Sequence, residues 1–481
     1  MTKNKLWISI LCVFWALTPA FGVDDKNLQV RRAPTGEPLS AQFKVSVDGK
    51  SVPVYLARVV ALSAERRGPV HAWDLKDTTE VGFASIDIAA KVEVAIDCPD
   101  EVKSAKVLPS VRGIVPAISG KRITFAVSQP GELVVDVNGD WLHSLHLFVN
   151  PIEKDVPKQG DPNVIYFGPG VHEIESMTVT SGKTVYLAPG AMVYGKALGD
   201  GKGGPPVHGY GGPIFWLKGD NITLRGRGII DGSRMLHRQG NILVAQGKNI
   251  RVEGVTLRDS SSWTFPVIAS DHVKIQNIKI FGWRGNSDGI DICNSRNVDV
   301  SDCFMRTYDD LVVIKTNDPK AGPATDIKVT HCVLWNELAH ALSIGAELRA
   351  PVENVLFSDC DIVHDKGREW DLRVYNCDSA EVKNIVFDKI RIQEAQKLFS
   401  LWIGKAVWSN QAERGHIDDI TFRNIESVTP SKHTPFAELR GFDAQHAIHD
   451  VKFENVVVGG KAMRANDVKE NKFVSGVSVK P

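Results

Sequence analysis

The chain carries its acids where chemistry would need them. Asn286-Ser287-Asp288-Gly289-Ile290-Asp291 is followed, one short strand-like segment later, by Tyr308-Asp309-Asp310-Leu311. Carboxylates packed together repel one another, so a fold that gathers Asp288, Asp309 and Asp310 has a use for them. The chemistry such a group can perform is acid/base cleavage of an acetal. One carboxyl donates a proton to the leaving oxygen while another activates water, as in splitting a glycosidic bond. As single residues, the aspartates could equally be turn residues capping backbone amides.

What must position them is a repeat. A unit of Asn or Asp followed by alternating apolar residues recurs at Asn221, Asn249, His272 (in place of Asn or Asp), Asn297, Asp326, Asn354, Asn384, Asp419 and Asp450, at intervals of 23 to 35 residues. Each unit holds a short strand of period two, a one-residue phase slip, and a second short strand, as in Ser301-Asp302-Cys303-Phe304-Met305. A coil with no helix and only short strands cannot bury its apolar face alone. Stacked coils can, and the expectation is an all-β chain built on a right-handed parallel β-helix. Matching places in successive coils then lie roughly 4.8 Å apart along the axis. Asp288 falls 16 residues after His272, and Asp309 and Asp310 fall 12 and 13 after Asn297, so the three share one face of adjacent coils. Separations of several ångströms are then available, including the roughly 6.5–9.5 Å that leaves room for a water in an inverting hydrolase. His340 and Arg373 lie on the next two coils, where a histidine can tune an acid and an arginine can hold a hydroxyl or carboxylate.

The remainder reads as support. Residues 163–481 are assigned to the β-helix and 23–152 to a small β-sandwich of alternating strands with turns at Asp48-Gly49 and Asn138-Gly139. The charged, proline-containing stretch from Glu153 to Pro162 is the expected linker. Residues 1–22, with Lys3 and Lys5 before an apolar run and small residues near Ala20-Phe21-Gly22, read as an export leader, so the protein is expected to be secreted or periplasmic. No later segment reads as a membrane span. The Gly/Pro-rich stretch Gly199–Gly212 reads as a surface loop at the edge of a cleft. Lysine plus arginine (57) equals aspartate plus glutamate (57), which gives no global reason to expect a nucleic-acid partner. Cys303, Cys332 and Cys360 occupy equivalent repeat positions and are expected to stack as small buried side chains.

In order and spacing, Asn286 through Asp291, Asp309-Asp310, His340-Ala341-Leu342-Ser343-Ile344-Gly345 and Arg373 resemble the four signature segments of family 28 glycoside hydrolases, the polygalacturonases and their relatives, from Val164 to Asn455. The resemblance implies a right-handed parallel β-helix and an inverting hydrolase. It implies Asp309 as general acid, Asp288 and Asp310 as activators of water, and Asn286, His340 and Arg373 as assisting or binding residues. No metal or cofactor is required, and the partner is a polysaccharide or oligosaccharide. The departures are Tyr308 and Ala341, where the family has Gly, and Tyr375, where polygalacturonases carry a carboxylate-binding lysine. Tyr375 is read here as substrate-binding. Of Trp263, Trp283, Trp335, Trp370 and Trp402, Trp283 and Trp370 are the expected sugar-stacking residues. A sandwich ahead of a β-helix also resembles family 49, the dextranases and isopullulanases. A β-helix polysaccharide lyase using Lys315 or Arg373 as base, and a non-catalytic adhesin, are the alternatives from other classes. The sugar, the linkage, endo or exo attack and the oligomeric state stay open at this level.

Overall fold

A computed structural model describes residues 26–61, 75–196, 212–429 and 431–481. The proposed leader and nearly all of the Gly/Pro-rich loop lie outside the described residues. From Val164 onward the chain winds into a right-handed parallel β-helix with three faces. Strands on each face pair in parallel with the equivalent strand of the next coil; on the third face, Ile290 pairs with Val312 and Val312 with Leu342. The third face alone has eleven strands among the described residues.

The repeat letter that marks each coil has a backbone reason. Asn221, Asn249, His272, Asn297, Asp326, Asn354, Asn384, Asp419 and Asp450 all adopt left-handed φ between 50° and 59°. Asn and Asp tolerate that conformation better than other non-glycine residues. Their side chains also bridge coils: Asn249 donates to Asn221 at 3.1 Å, and Asn384 to Asn354 at 2.7 Å. The phase slip is a second left-handed corner, at Asp302 (φ 55°), His331 and Asp359 among others. Inward-pointing residues form one continuous apolar core along the axis. Within it the rings of Phe357, Phe387, Phe422 and Phe453 stack at 4.8, 4.8 and 5.1 Å between centroids. Cys303, Cys332 and Cys360 are fully buried and stack as expected; the six described cysteines are all free thiols.

Ahead of the helix, a six-stranded and a five-stranded sheet enclose their own core between Leu28 and Pro151. This sandwich is seated on the second face of the β-helix. Phe83 and Phe148 pack on Phe281 at 5.3 and 6.0 Å, and Phe148 on Phe304 at 5.2 Å. Beside them the fully buried Arg306 pairs with Glu337 at 2.9 Å and lies 4.0 Å from the Trp335 ring. The strand Tyr55–Val60 brings Val60 against Trp283, Tyr308 and Leu338, at the back of the corner where the second face turns into the third. No helix among the described residues is long and apolar enough to cross a membrane.

Candidate active site

That corner is where the acids stand. The strands Ile290–Cys293, Val312–Thr316, Leu342–Leu348 and Leu372–Asn376 pair in order on the third face, and the residues entering them line a cleft of 390 Å³. Asp288, Asp310 and His340 hold equivalent places in three successive coils: Gly289 N–H donates to the Asp310 carbonyl at 2.8 Å, and Leu311 N–H to the His340 carbonyl at 2.9 Å. Gly289 is required by that close approach, since a Cβ there would meet the Leu311 carbonyl oxygen at 2.3 Å. Asp288, Asp309 and Asp310 each place an oxygen within 4.8 Å of the others. Asp288 is buried, whereas Asp309 and Asp310 are partly exposed on the cleft floor. Backbone amides hold the pair in place. Asp309 accepts from Asn286 N–H at 3.3 Å and from Asp310 N–H at 3.1 Å, and Asp310 accepts from His340 N–H at 3.3 Å. Asn286 in turn accepts from Arg238 at 2.7 Å.

Beneath the cluster lies a buried cation. The Lys315 ammonium is 3.1 Å from Asp288 Oδ2 and 2.8 Å from Asp291 Oδ1, and 4.0 Å from the centroid of the Trp263 ring. Burial pushes the carboxyls up. Asp309 and Asp310 rise to about 7, each further raised by a neighbouring carboxylate and opposed by Lys315. Asp291 rises to about 6 through burial against the pull of Lys315, and Asp288 rises further through burial and the charge on Asp291. The four titrate as a unit, with fewer charges than carboxyls near neutral pH. Burial opposes the charge on Lys315, but Asp291 and Asp288 outweigh it and keep the ammonium well above its ordinary range. Burial, with Arg373 nearby, depresses His340 to about 3, so the ring is neutral. Its Nδ1–H donates to the Trp370 carbonyl at 2.9 Å, and Nε2 accepts from Arg373 at 3.4 Å. The oxygen triangle has the donor type for a divalent cation, although Lys315 already supplies positive charge there.

The structure brings Asn286, Asp288, Asp309, Asp310, His340, Arg373 and Tyr375 to one cleft. Two expected sugar-stacking residues are elsewhere. Trp283 is buried, packed on Val60 with its indole N–H donating to Asp259 at 2.7 Å. Trp370 is buried edge-on to His433 at 4.9 Å and contributes only its carbonyl, to His340. The tryptophans that line the cleft are Trp263 and Trp408. Flanking an acid in sequence misleads because corner residues alternate between the cleft and the packing beneath it. Tyr308 has a similar explanation: it fills the space against Val60 that the seated sandwich creates. Lys315, weighed from the sequence as the base of a lyase, and Glu347 both line the site. For Lys315 the available signal was register, since it pairs with Cys293, two residues beyond Asp291.

Fold and cleft together define a parallel β-helix with a carboxylate-lined groove at the corner of its third face. Residues 212–476 match the sequence profile of glycosyl hydrolases family 28, and the chain belongs to that family. A polygalacturonase of Juniperus ashei is 25% identical over 224 residues, covering 44% of this chain and 42% of that protein. The chain spans about half, or less, of the length of the curated relatives it matches. Among solved structures, Dex49A from Penicillium minioluteum superposes with a TM-score of 0.71 at 12% identity, covering 96% of this chain and all of that one. An exopolygalacturonase from Thermotoga maritima superposes at 0.55 and 18% identity, covering 66% and 84%. At these identities the two structures share the fold with this chain.

Proposed function

We propose that the protein is an exported glycoside hydrolase that cleaves a polysaccharide or oligosaccharide with inversion, using Asp309 as general acid and Asp288 with Asp310 to activate water. The observation that carries this reading is the carboxylate triangle, each member within 4.8 Å of the others at the floor of an open cleft. The partners are consistent with these roles. Asp288 lies against the Lys315 ammonium, which opposes the rise that burial and Asp291 impose on its carboxyl, and with Asp310 it flanks the space where a water would sit. Asp309 has only backbone amides as partners, and its rise to about 7 keeps a proton available near neutral pH. Asp310, on the coil next to Asp288, can grip the same water from the other side. His340 and Arg373 continue the groove toward the neighbouring sugar.

Inversion is supported by the family resemblance. The general distance rule points the other way, because the nearest oxygens are closer than the roughly 6.5–9.5 Å gap usual for inversion. A water held jointly by two carboxylates need not lie on the line joining acid and base, which reconciles the two. A lyase reading is disfavoured, because the residue best placed as base, Lys315, is held as an ammonium by two aspartates. Export rests on the leader-like residues 1–22. The test is Asp309→Asn and Asp288→Asn, assayed by reducing ends released from a panel of pectic, dextran-type and algal polysaccharides. Turnover should fall by about 10²- to 10⁴-fold with unchanged circular dichroism. Near-normal turnover in both variants would sink the assignment, and anomer-resolved NMR of early products showing retained configuration would refute inversion.

A further inference from the structure

We infer that the sugar position on the Arg373 side of the cleft takes an uncharged pyranose, making the substrate a neutral glycan there and not a polyuronate. The inference deepens the hydrolase reading and rests on it. Its first support is charge. On this side of the cleft, Arg373 lies 3.0 Å from Glu369 and the Arg368 guanidinium 3.5 Å from the same carboxylate. Glu347 lines the same cleft near Tyr375, so on this side two guanidiniums are matched by two carboxylates, while the cleft's further guanidinium, Arg238, sits at the other end beside Asn286. Lys315 is held by Asp288 and Asp291. An incoming uronate would lie against Glu369, sharing its arginines, or beside Glu347. Either course costs desolvation and like-charge repulsion. A sugar hydroxyl faces neither cost, and it can donate to Glu347 or Glu369 and accept from the arginines.

The second support is shape. Tyr375 lies beneath Arg373, whose guanidinium carbon is 4.0 Å from the ring centroid. Its edges meet Trp402 at 4.8 Å and Trp408 at 6.1 Å. Trp408 is 53% exposed at the cleft's lip, although its loop is tied down: Arg349 donates to the Trp408 carbonyl at 3.2 Å, and Ser409 Oγ to the Cys377 carbonyl at 2.7 Å. A large ring kept in water on an anchored loop beside a cleft is suited to stacking on the C–H face of a sugar.

The test uses the Asp309→Asn protein, which retains the cleft and suppresses turnover. Its binding is measured by calorimetry against matched oligosaccharide pairs of galacto, gluco and manno configuration, each a uronate and its carboxyl-reduced counterpart. The neutral member of every bound pair should bind at least about tenfold more tightly. Adding Trp408→Ala should weaken that member by about tenfold, the scale of one lost aromatic stack. Adding Glu347→Gln should narrow the preference within each pair. A uronate that binds more tightly than its reduced partner overturns the inference. If the wild-type protein cleaves a polyuronate in preference to neutral glycans, the hydrolase reading stands and this inference alone falls. If no member is bound and no glycan is cleaved, both fall.

Discussion

Lys315→Met isolates the electrostatics of the site. Methionine keeps most of the stem's volume and removes the ammonium that lies 2.8 Å from Asp291 and 3.1 Å from Asp288. Asp288 and Asp291 are 2% and 0% exposed, so water cannot replace it. Removing one partner of a buried ion pair costs about 3–5 kcal/mol while the orphaned charge persists. The carboxyls can escape that cost by taking up protons, and the sign follows from linkage. Their folded-state values already lie above those of an unfolded aspartate, with Asp291 at about 6. Stability linked to them is therefore fully present at low pH and lost as pH rises through the folded values. Without Lys315 those values rise further, and the loss steepens by up to about 1.4 kcal/mol per pH unit for each additional proton held. The expected result in urea unfolding is a small deficit at pH 5 that grows to roughly 3–5 kcal/mol at pH 8. An equal deficit at both pH values would mean that the lysine acts through packing, and no deficit at pH 8 would refute the pairing.

Other consequences can be checked independently. If Asp309 is the general acid, as proposed, turnover should decline as pH rises through about 7, and a profile flat to pH 9 would remove Asp309 as the acid. Phe281→Ala empties a fully buried position between sandwich and β-helix and should cost about 3–5 kcal/mol, while exposing residues 153–162 to limited proteolysis. Asn297→Ala keeps a left-handed φ of 55° without the 2.9 Å bond to Asp271 and should cost about 1–2 kcal/mol, whereas Asn297→Gly should recover most of the backbone part in thermal melts.

The sequence was most legible where a residue's job is periodic. Asn and Asp at the coil starts, the phase slip at Asp302, and the cysteines at equivalent positions each answer to a local backbone angle or a stacking place that recurs every coil. Residue type alone reports such a role. The same register was enough to gather Asp288, Asp309, Asp310, His340 and Arg373 on one face, because one coil's advance is fixed by strand pairing. Family membership follows from those segments too.

What the sequence could not carry is which way a corner residue turns and what lies against it. Trp283 and Trp370 were expected in the cleft and are buried, one of them beneath a strand more than 200 residues earlier in the chain. Tyr308 makes sense only once Val60 is seated on it. Lys315 became part of the acid cluster through its partners in space, and Trp408 joined the groove through a loop tied down by Arg349. The sequence by itself determined the coil, its repeat and the face that bears the acids, since these depend on pairing one residue with the next coil. The tertiary structure alone decided the electrostatics of the acid cluster and which charges line the cleft wall beside Arg373. Both depend on burial and on charges brought together from distant coils, and neither quantity has a period to read.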